Sequence, residues 1–183
     1  MLPAHPVVAV IGTGSMGGVY AGFFAEAGTT VIAIDTWAEH VAAINENGLR
    51  LSGVSGDRVI NGITASTDIH TARDADLFII ATKASGVADA ARSIAAMAKP
   101  SQLVLTIQNG LGAADRIAAH MPVDQVLLGV AEGFGASIVE PGHIHHNNMR
   151  QIRIGEINGG ITPRLTAVET LWQAAGFKAT AFA

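Results

Sequence analysis

The chain lacks the residues and segments that mark several common protein classes. Its 183 residues include no cysteine, which excludes a disulfide framework and thiol chemistry and agrees with a cytoplasmic location. Charged residues are only 14% of the chain, and the net charge of −4 argues against nucleic acid or an anionic membrane as a partner. No apolar run approaches the roughly 20 residues of a membrane span. The first six residues also lack the basic region of a secretory signal. We therefore expect a cytoplasmic protein without nucleic-acid or membrane partners.

The first forty residues carry the most informative motif of the chain. An apolar run at residues 7–11 leads into a glycine-rich turn, a helical stretch follows, and a second apolar run at 30–34 stops at Asp35. Strand, glycine turn, helix, strand and acid follow one another as in a dinucleotide-binding βαβ unit. The predicted cofactor site comprises Gly12, Thr13, Gly14, Ser15, Met16, Gly17 and Asp35.

Each glycine of this motif has a physical role. Gly12 allows the tight turn out of the strand, Gly14 lets the backbone approach a pyrophosphate, and Gly17 lets the helix lie close to the strand. The helix N-terminus adds unpaired N–H groups and a positive dipole end. Met16 is expected to pack under the pyrophosphate. The alternative is a glycine-rich turn that binds another phosphate ligand or none.

Asp35 bears on the choice of cofactor. Its carboxylate would accept hydrogen bonds from the adenosine ribose hydroxyls, and its charge would repel a 2′-phosphate. No lysine or arginine precedes Arg50, so a phosphate on that ribose would meet no cation nearby in the sequence. The local chemistry therefore favours NAD over NADP.

The rest of the chain alternates apolar runs with amphipathic segments, which is typical of a parallel sheet covered by helices. We predict an α/β fold: a Rossmann-type, doubly wound, mostly parallel sheet with a short antiparallel extension. The mean hydropathy of +0.37 agrees with strands buried on both faces. The whole chain, 1–183, is one dinucleotide-binding domain, with a core at 1–130 and an extension plus a closing helix at 131–183.

The predicted elements can be stated by residue. Strands are expected at 7–11, 30–34, 77–81, 103–107 and 126–130, with a last one within 177–182. Helices are expected at 16–27, 38–47, 87–97, 111–121 and 163–175, the last one capped by Thr162. A hairpin joins 49–52 to 58–60. Short antiparallel strands follow at 137–139, 144–147 and 151–154, with turns at 141–142 and 147–148.

Further motifs at the strand ends resemble a known family. They are Asn47-Gly48-Leu49, Thr82-Lys83-Ala84, Gln108-Asn109-Gly110, and Gly129 followed by Pro141-Gly142 and Ile154-Gly155. With the glycine motif, their order and spacing resemble the N-terminal domain of the ketopantoate reductase family and its 2-oxo-acid reductase relatives. The resemblance covers essentially the whole chain.

The resemblance implies a two-domain enzyme. In the family, a helical C-terminal domain follows, and the active site lies in the cleft between the domains. A lysine early in that second half protonates the ketone oxygen as hydride arrives from the nicotinamide. This chain stops at Ala183 without a helical domain of that kind, and Lys178 lies within the last predicted strand rather than at that lysine's place. We therefore expect a domain fragment or truncated gene product that is inactive alone.

The resemblance also assigns residues to the reaction. Lys83 would sit beside the nicotinamide and place the substrate, and its charge would stabilise negative charge on the ketone oxygen. Asn109 would bond the nicotinamide ribose or the substrate. Lys83 and Asn109 are therefore predicted as both catalytic and cofactor-binding, against the alternatives of a solvated lysine and an Asn-Gly turn. Thr82 and Gln108 are weaker candidates, and Glu132 is expected to be a solvated loop residue.

One departure from the family concerns the cofactor. Family members usually use NADPH and carry a basic residue where this chain has Ile34-Asp35-Thr36-Trp37. The change resembles an NAD-using branch, while NADP stays open through the family. Trp37 would either lie against the adenine or anchor the second helix.

Three histidines, His143, His145 and His146, suggest a metal site only at first sight. His143 and His145 would share one strand face, but no cysteine or suitably spaced carboxylate completes a ligand set. We expect no metal.

Together these observations predict the cofactor-binding half of an oxidoreductase. The reaction would reduce a branched 2-oxo acid by hydride transfer from a nicotinamide, with 2-dehydropantoate to pantoate as the leading case. The alternatives are a non-catalytic NAD-binding module and another NAD-dependent 2-hydroxyacid dehydrogenase. The expected partner is a small-molecule 2-oxo acid, and homodimer formation is left open.

Overall fold

The apolar runs of the sequence form the middle of an eight-stranded sheet. The computed structural model describes residues 2–107 and 112–183. The strands are β1 Val7–Ile11, β2 Thr30–Ile34, β3 Leu49–Gly53, β4 Arg58–Ile60, β5 Thr64–Ser66, β6 Leu77–Ile80, β7 Leu103–Thr106, β8 Val126–Glu132, β9 Gly135–Glu140, β10 His143–Asn148, β11 Gln151–Glu156 and β12 Ala179–Phe182. The helices are α1 Ser15–Glu26, α2 Ala38–Asn47, α3 Val87–Ala95, α4 Ala113–Ala118 and α5 Pro163–Ala174.

The order of the strands shows where a ligand would bind. The large sheet runs β12-β11-β8-β7-β6-β1-β2-β5, and all neighbours are parallel except the antiparallel pair β8 and β11. From β1 the chain winds outward first through β2 and then, on the other side, through β6. This confirms the predicted doubly wound α/β fold. In such sheets ligands bind beyond the carboxyl ends of the strands where the winding reverses, here beyond β1 and β6.

A second sheet has the order β4-β3-β10-β9. The hairpin of β3 and β4 is antiparallel as predicted, and β10 joins it in parallel while β9 pairs antiparallel with β10. The predicted extension strands are therefore divided between the two sheets, because β11 pairs with β8 and β12.

One local expectation fails, and one short strand was not predicted. The turn at 147–148 is wrong, since both asparagines lie in β10 and Asn148 pairs with Gly135 of β9; pairing across the sheet outweighs the turn preference of asparagine. Strand β5 was not predicted, because it has only three residues.

Helix α1 lies between the two sheets and brings the small sheet over the glycine motif. A Cβ added at Gly18 would be 1.9 Å from Ile144 Cδ1, and one at Gly22 would be 2.7 Å from Leu51 Cδ1. These glycines therefore let α1 and the small sheet approach closely. No helix in residues 2–107 and 112–183 is both long and apolar enough to cross a membrane.

Aromatic side chains join α1 to the C-terminal elements. The ring centroid of Trp172 lies 5.1 Å from that of Tyr20, 5.0 Å from that of Phe24 and 4.8 Å from that of Phe177. Helix α5 begins as predicted, because Thr162 Oγ1 accepts a hydrogen bond from the Leu165 amide at 3.2 Å. The core therefore continues from the first βαβ unit into α5 and β12.

Candidate functional site

A groove of about 600 Å³ opens at the carboxyl ends of β1, β2 and β6. It is lined by Ile11, Gly12, Gly14, Ser15, Met16, Ile34, Asp35, Thr36, Ala81, Thr82, Lys83 and Ile138. Most of the predicted cofactor residues thus line one continuous cavity. Its position at the carboxyl ends of the strands and its volume suit an elongated organic ligand.

Two glycines shape the glycine loop, which we define as residues 12–17. Gly12 has a φ of +87°, and a Cβ there would lie 2.9 Å from the backbone of Thr82 at the end of β6. A Cβ at Gly17 would lie 1.9 Å from the Gly12 carbonyl oxygen. The loop can therefore fold against β6 and α1 only with glycine at both positions.

Gly14 differs from Gly12 and Gly17 because it faces open space. A Cβ there would meet only Ile138 Cδ1, at 3.8 Å. Gly14 is also the N-cap of α1, and as a glycine it has no side chain that could cap the first amides of that helix. A ligand can therefore come close to the backbone at Gly14 and to the helix N-terminus, as a pyrophosphate requires.

The outer end of the groove, at the carboxyl end of β2, is acidic. Asp35 Oδ1 accepts a hydrogen bond from the Trp37 amide at 3.0 Å, and Thr36 lies beside it in the lining. The first two cations of the sequence are paired elsewhere: Arg50 bonds Asp57 at 2.8 Å, and Arg58 bonds Glu26 at 2.5 Å. The Arg58 hydrogen bond lowers the pKa of Glu26, which agrees with a formed ion pair.

The inner end of the groove continues into a smaller cavity of about 220 Å³, which we call the inner cavity. Its lining is Met16, Tyr20, Ala81, Thr82, Lys83, Ala84, Ile107, Ala131 and Phe134. Lys83 belongs to both linings, and it is the only cation among the described residues that line either one. Burial raises the pKa of the Tyr20 phenol, so this wall stays uncharged. An ammonium group beside such walls can hold a carboxylate or a carbonyl oxygen.

The segment after Lys83 is held by a residue that the sequence analysis did not single out. Arg116 of α4 donates a hydrogen bond from Nη1 to the Ala84 carbonyl oxygen at 2.9 Å. Asn109 and Gln108, which were predicted at this end, lie outside the described residues. Their roles therefore stay predictions.

Two other candidates have structural surroundings of their own. Glu132 was expected in a loop, but it ends β8 and pairs with Arg153 at 2.8 Å, because β8 extends along β11 as far as Gln151. The Trp37 ring stacks on the His40 ring at 5.3 Å with 9° between the planes, and it is 36% exposed. Trp37 thus anchors the start of α2, and its outer surface is open to solvent.

The histidines of β10 form two separate arrangements. His143 Nε2 and His145 Nδ1 lie 2.9 and 3.2 Å from Ser52 Oγ, so they share one strand face as expected. His146 is fully buried on the other face, where burial lowers its pKa and its ring nitrogens bond Ser55 and the Asn148 carbonyl. Within the described part of the chain, no group of three or more histidines and acids is placed to hold a metal ion.

No sequence pattern singles out His40, a fully buried residue of α2. His40 Nε2 lies 2.9 Å from the Thr13 carbonyl oxygen, and Nδ1 lies 3.0 Å from the Gly142 amide. These partners are 27 and 102 positions away in the sequence, so no local pattern points to them. Ile138 was missed for the same reason, since β9 reaches the groove only through the small sheet.

Comparison with known proteins agrees with this architecture. The family described as ketopantoate reductase PanE/ApbA matches residues 8–159. A 2-dehydropantoate 2-reductase of Halobacterium salinarum is 33% identical over 173 residues, which are 94% of this chain and 56% of that protein. A 2-dehydropantoate 2-reductase of Nostoc sp. is 28% identical, covering 92% of this chain and 53% of that protein.

Solved structures show the same fold. The crystal structure of a putative ketopantoate reductase from Ralstonia solanacearum has a TM-score of 0.85 and 28% identity, covering 100% of this chain and 61% of that one. A D-mandelate dehydrogenase solved with NADH and anilino(oxo)acetate has a TM-score of 0.79 at 24% identity, covering 96% of this chain and 56% of that one.

The chain spans little more than half the length of these relatives. The family match nevertheless extends over residues 8–159 of the 183, from β1 beyond the end of β11. The chain is therefore a Rossmann-like domain that belongs to the ketopantoate reductase family.

Proposed function

We propose that this chain binds NAD(H) in the groove and contributes the cofactor half of a 2-oxo-acid reductase. The observation that carries the proposal is the continuity of the groove, which leads from Asp35 past the glycine loop to Lys83. A dinucleotide needs these three features in this order: an acceptor for ribose hydroxyls, open backbone for the pyrophosphate, and a polar group at the reacting end.

The residues have distinct roles in this proposal. Asp35 accepts hydrogen bonds from the adenosine ribose, and the open backbone at Gly14 faces the pyrophosphate. The nicotinamide, when bound, supplies the hydride. Lys83 holds the carboxylate or ketone oxygen of the substrate and stabilises negative charge there during reduction. The family resemblance assigns the proton donor to a lysine of the C-terminal half, so the chain alone is expected to bind cofactor but turn over poorly.

The proposed substrate is a branched 2-oxo acid, with 2-dehydropantoate as the leading case. Support comes from the relatives named 2-dehydropantoate 2-reductase and from the cation Lys83 at the inner end. A second candidate is an NAD-dependent 2-hydroxyacid dehydrogenase acting on another substrate. Asp35 favours this candidate, since the family usually has a basic residue there.

The preference for NAD rests on the charges near Asp35. A 2′-phosphate would meet the Asp35 carboxylate, while Arg50 and Arg58 are paired with Asp57 and Glu26. Recruiting either arginine would break a bidentate ion pair.

The test is a fluorescence titration of this chain with NADH and, separately, with NADPH. We expect NADH to bind about tenfold more tightly, which corresponds to roughly 1.4 kcal/mol. Asp35→Asn should narrow that ratio, because it removes the charge that repels the 2′-phosphate. The matched control is Asp89→Asn, the same change on the exposed face of α3. Tighter binding of NADPH would reject the NAD preference, and binding of neither nucleotide would reject the proposed site.

A further inference from the structure

We infer that His40 is a positioning residue that holds the glycine loop in its ligand-ready shape by tying it to the turn between β9 and β10. The consequence for cofactor binding rests on the proposed function, whereas the mechanical link rests on geometry alone. His40 is fully buried, and each of its ring nitrogens has one backbone partner.

The hydrogen-bond partners fix the tautomer of the ring. The Gly142 amide can only donate, so His40 Nδ1 must accept that hydrogen bond at 3.0 Å. The ring proton then lies on Nε2 and is donated to the Thr13 carbonyl oxygen at 2.9 Å. The imidazole therefore bridges a fixed donor to a fixed acceptor, and either partner alone would leave one ring nitrogen unused.

The bond to Thr13 orients the next amide of the loop. No cis peptide bond occurs among the described residues, so the Thr13–Gly14 peptide unit is trans. In a planar trans peptide the N–H points away from the C=O. Because the Thr13 carbonyl points toward His40, the N–H of Gly14 in the same peptide unit points away from His40. The orientation of one peptide at the open point of the groove thus depends on a side chain outside the glycine motif.

The bond to Gly142 extends the same link to the small sheet. Gly142 has a φ of +75°, and a Cβ there would lie 2.9 Å from the Ala43 Cβ, so the turn lies directly on α2. The strand before this turn carries Ile138, which lines the groove opposite Gly14. The His40 imidazole therefore fixes the position of the glycine loop and of β9, which faces that loop across the groove.

Trp37 completes the arrangement at the outer end. Its ring stacks on His40 at 5.3 Å, and its amide donates to Asp35 Oδ1 at 3.0 Å. The proposed ribose acceptor and the glycine loop are thereby linked through two neighbouring side chains. The stacking restricts how the His40 ring can turn.

Three substitutions separate the two bonds of His40. His40→Phe keeps a planar ring against Trp37 and loses both hydrogen bonds. His40→Asn places an amide oxygen near the Nδ1 position, where it can accept from Gly142. His40→Gln reaches the Nε2 position, where its amide can donate to Thr13. The readouts are amide hydrogen exchange at Gly142 and at residues 12–17, and NADH affinity by fluorescence titration.

We expect His40→Phe to speed exchange at both places and to weaken NADH binding about tenfold. His40→Asn should restore protection at Gly142 but not NADH affinity, and His40→Gln should do the reverse. Val168→Ala is the control, because it destabilises the buried face of α5 without touching the groove. A merely structural role predicts instead that all variants, Val168→Ala included, lose affinity in proportion to their loss of stability.

The inference is overturned if His40→Phe matches Val168→Ala in exchange at residues 12–17 and in NADH affinity. It is also overturned if His40→Asn and His40→Gln show the same exchange at Gly142 and the same NADH affinity. This comparison tests the inference even if His40→Phe does not fold. If the unmodified chain binds no NADH, the proposed function fails, and the exchange data still accept or reject the link.

Discussion

The two ends of the groove are built from different chemistry. The outer end has an acid, Asp35, beside a backbone turn and a stacked Trp37–His40 pair, and no cation of the described chain lines it. The inner end has a cation, Lys83, beside the side chains of Tyr20 and Phe134. A long ligand that occupies both must offer hydroxyl groups at one end and a group compatible with positive charge at the other.

In the proposed function, this difference divides one sheet edge between cofactor recognition and chemistry. The outer end follows β2, the inner end follows β6, and β1 with the glycine loop lies between them. In the proposed function, hydrogen bonds at the outer end select the cofactor, whereas the charge at the inner end acts on the reacting group of the substrate. Substitutions that block the groove between its ends, or that change one end only, test whether the two ends have these separate roles.

The largest effect is expected from closing the passage between the ends. Gly14→Ala adds a methyl group that meets only Ile138 at 3.8 Å, so the fold should be retained while the methyl occupies the space of the ligand. We expect NADH affinity to fall roughly 100-fold, or about 2.7 kcal/mol, in a fluorescence titration. Gly135→Ala is the matched control, since its Cβ would make an ordinary 3.5 Å contact with Asn147. Unchanged affinity in Gly14→Ala would show that no ligand comes close to this backbone.

A smaller and more selective effect is expected at the inner end. Lys83→Met should leave NADH affinity within about threefold but weaken binding of a 2-oxo acid to the NADH complex about tenfold, because one charge-assisted hydrogen bond is lost. The measurement is quenching of bound NADH fluorescence by 2-dehydropantoate. Lys99→Met, which removes an exposed lysine paired with Asp74, is the control. An equal loss of NADH and 2-oxo-acid binding would contradict the division between the ends.

The smallest expected effect is on the pH dependence of folding stability, through His146 next to the inner cavity. The His146 ring stacks on Phe134, which lines that cavity, and burial lowers the pKa of His146. A lowered pKa in the folded state means that the unfolded chain binds the proton more readily. The contribution to stability is therefore present above about pH 6.5 and is lost as the pH falls toward the native pKa.

Chemical denaturation at about pH 7 and about pH 5 measures this effect. We expect the unmodified chain to lose more stability over that interval than His146→Gln, which itself should cost about 1 kcal/mol at the higher pH. His145→Gln alters the exposed neighbour and serves as the control. Equal pH dependence in the unmodified chain and His146→Gln would assign the acid sensitivity to other groups.

A structural feature can be predicted from the sequence when the residues that form it lie close together along the chain. The glycine loop, Asp35 and the buried parallel strands were predictable because a continuous apolar run or a short motif defines each one. The pairing of β3 with β10 was not, since it joins Arg50 to His143 without any local signal. The two asparagines of β10 show the same limit, because their turn preference is local and their strand pairing is not.

The candidate site follows the same rule. Lys83 was found because it follows a buried strand and matches a family motif. His40 resembles an ordinary polar residue of an amphipathic helix, and only the folded chain brings Thr13 and Gly142 to its ring. Ile138 looks like one apolar residue of an edge strand until α1 brings the small sheet over the groove.

The stacked Trp37 gives the molecule a built-in optical probe. The chain has only two tryptophans, and Trp172 is sealed in the core while Trp37 is 36% exposed beside the outer end of the groove. Emission from the buried Trp172 will therefore report unfolding, and a change in Trp37 emission will report a ligand at the outer end of the groove. Folding and ligand binding can thus be followed in one sample without a label.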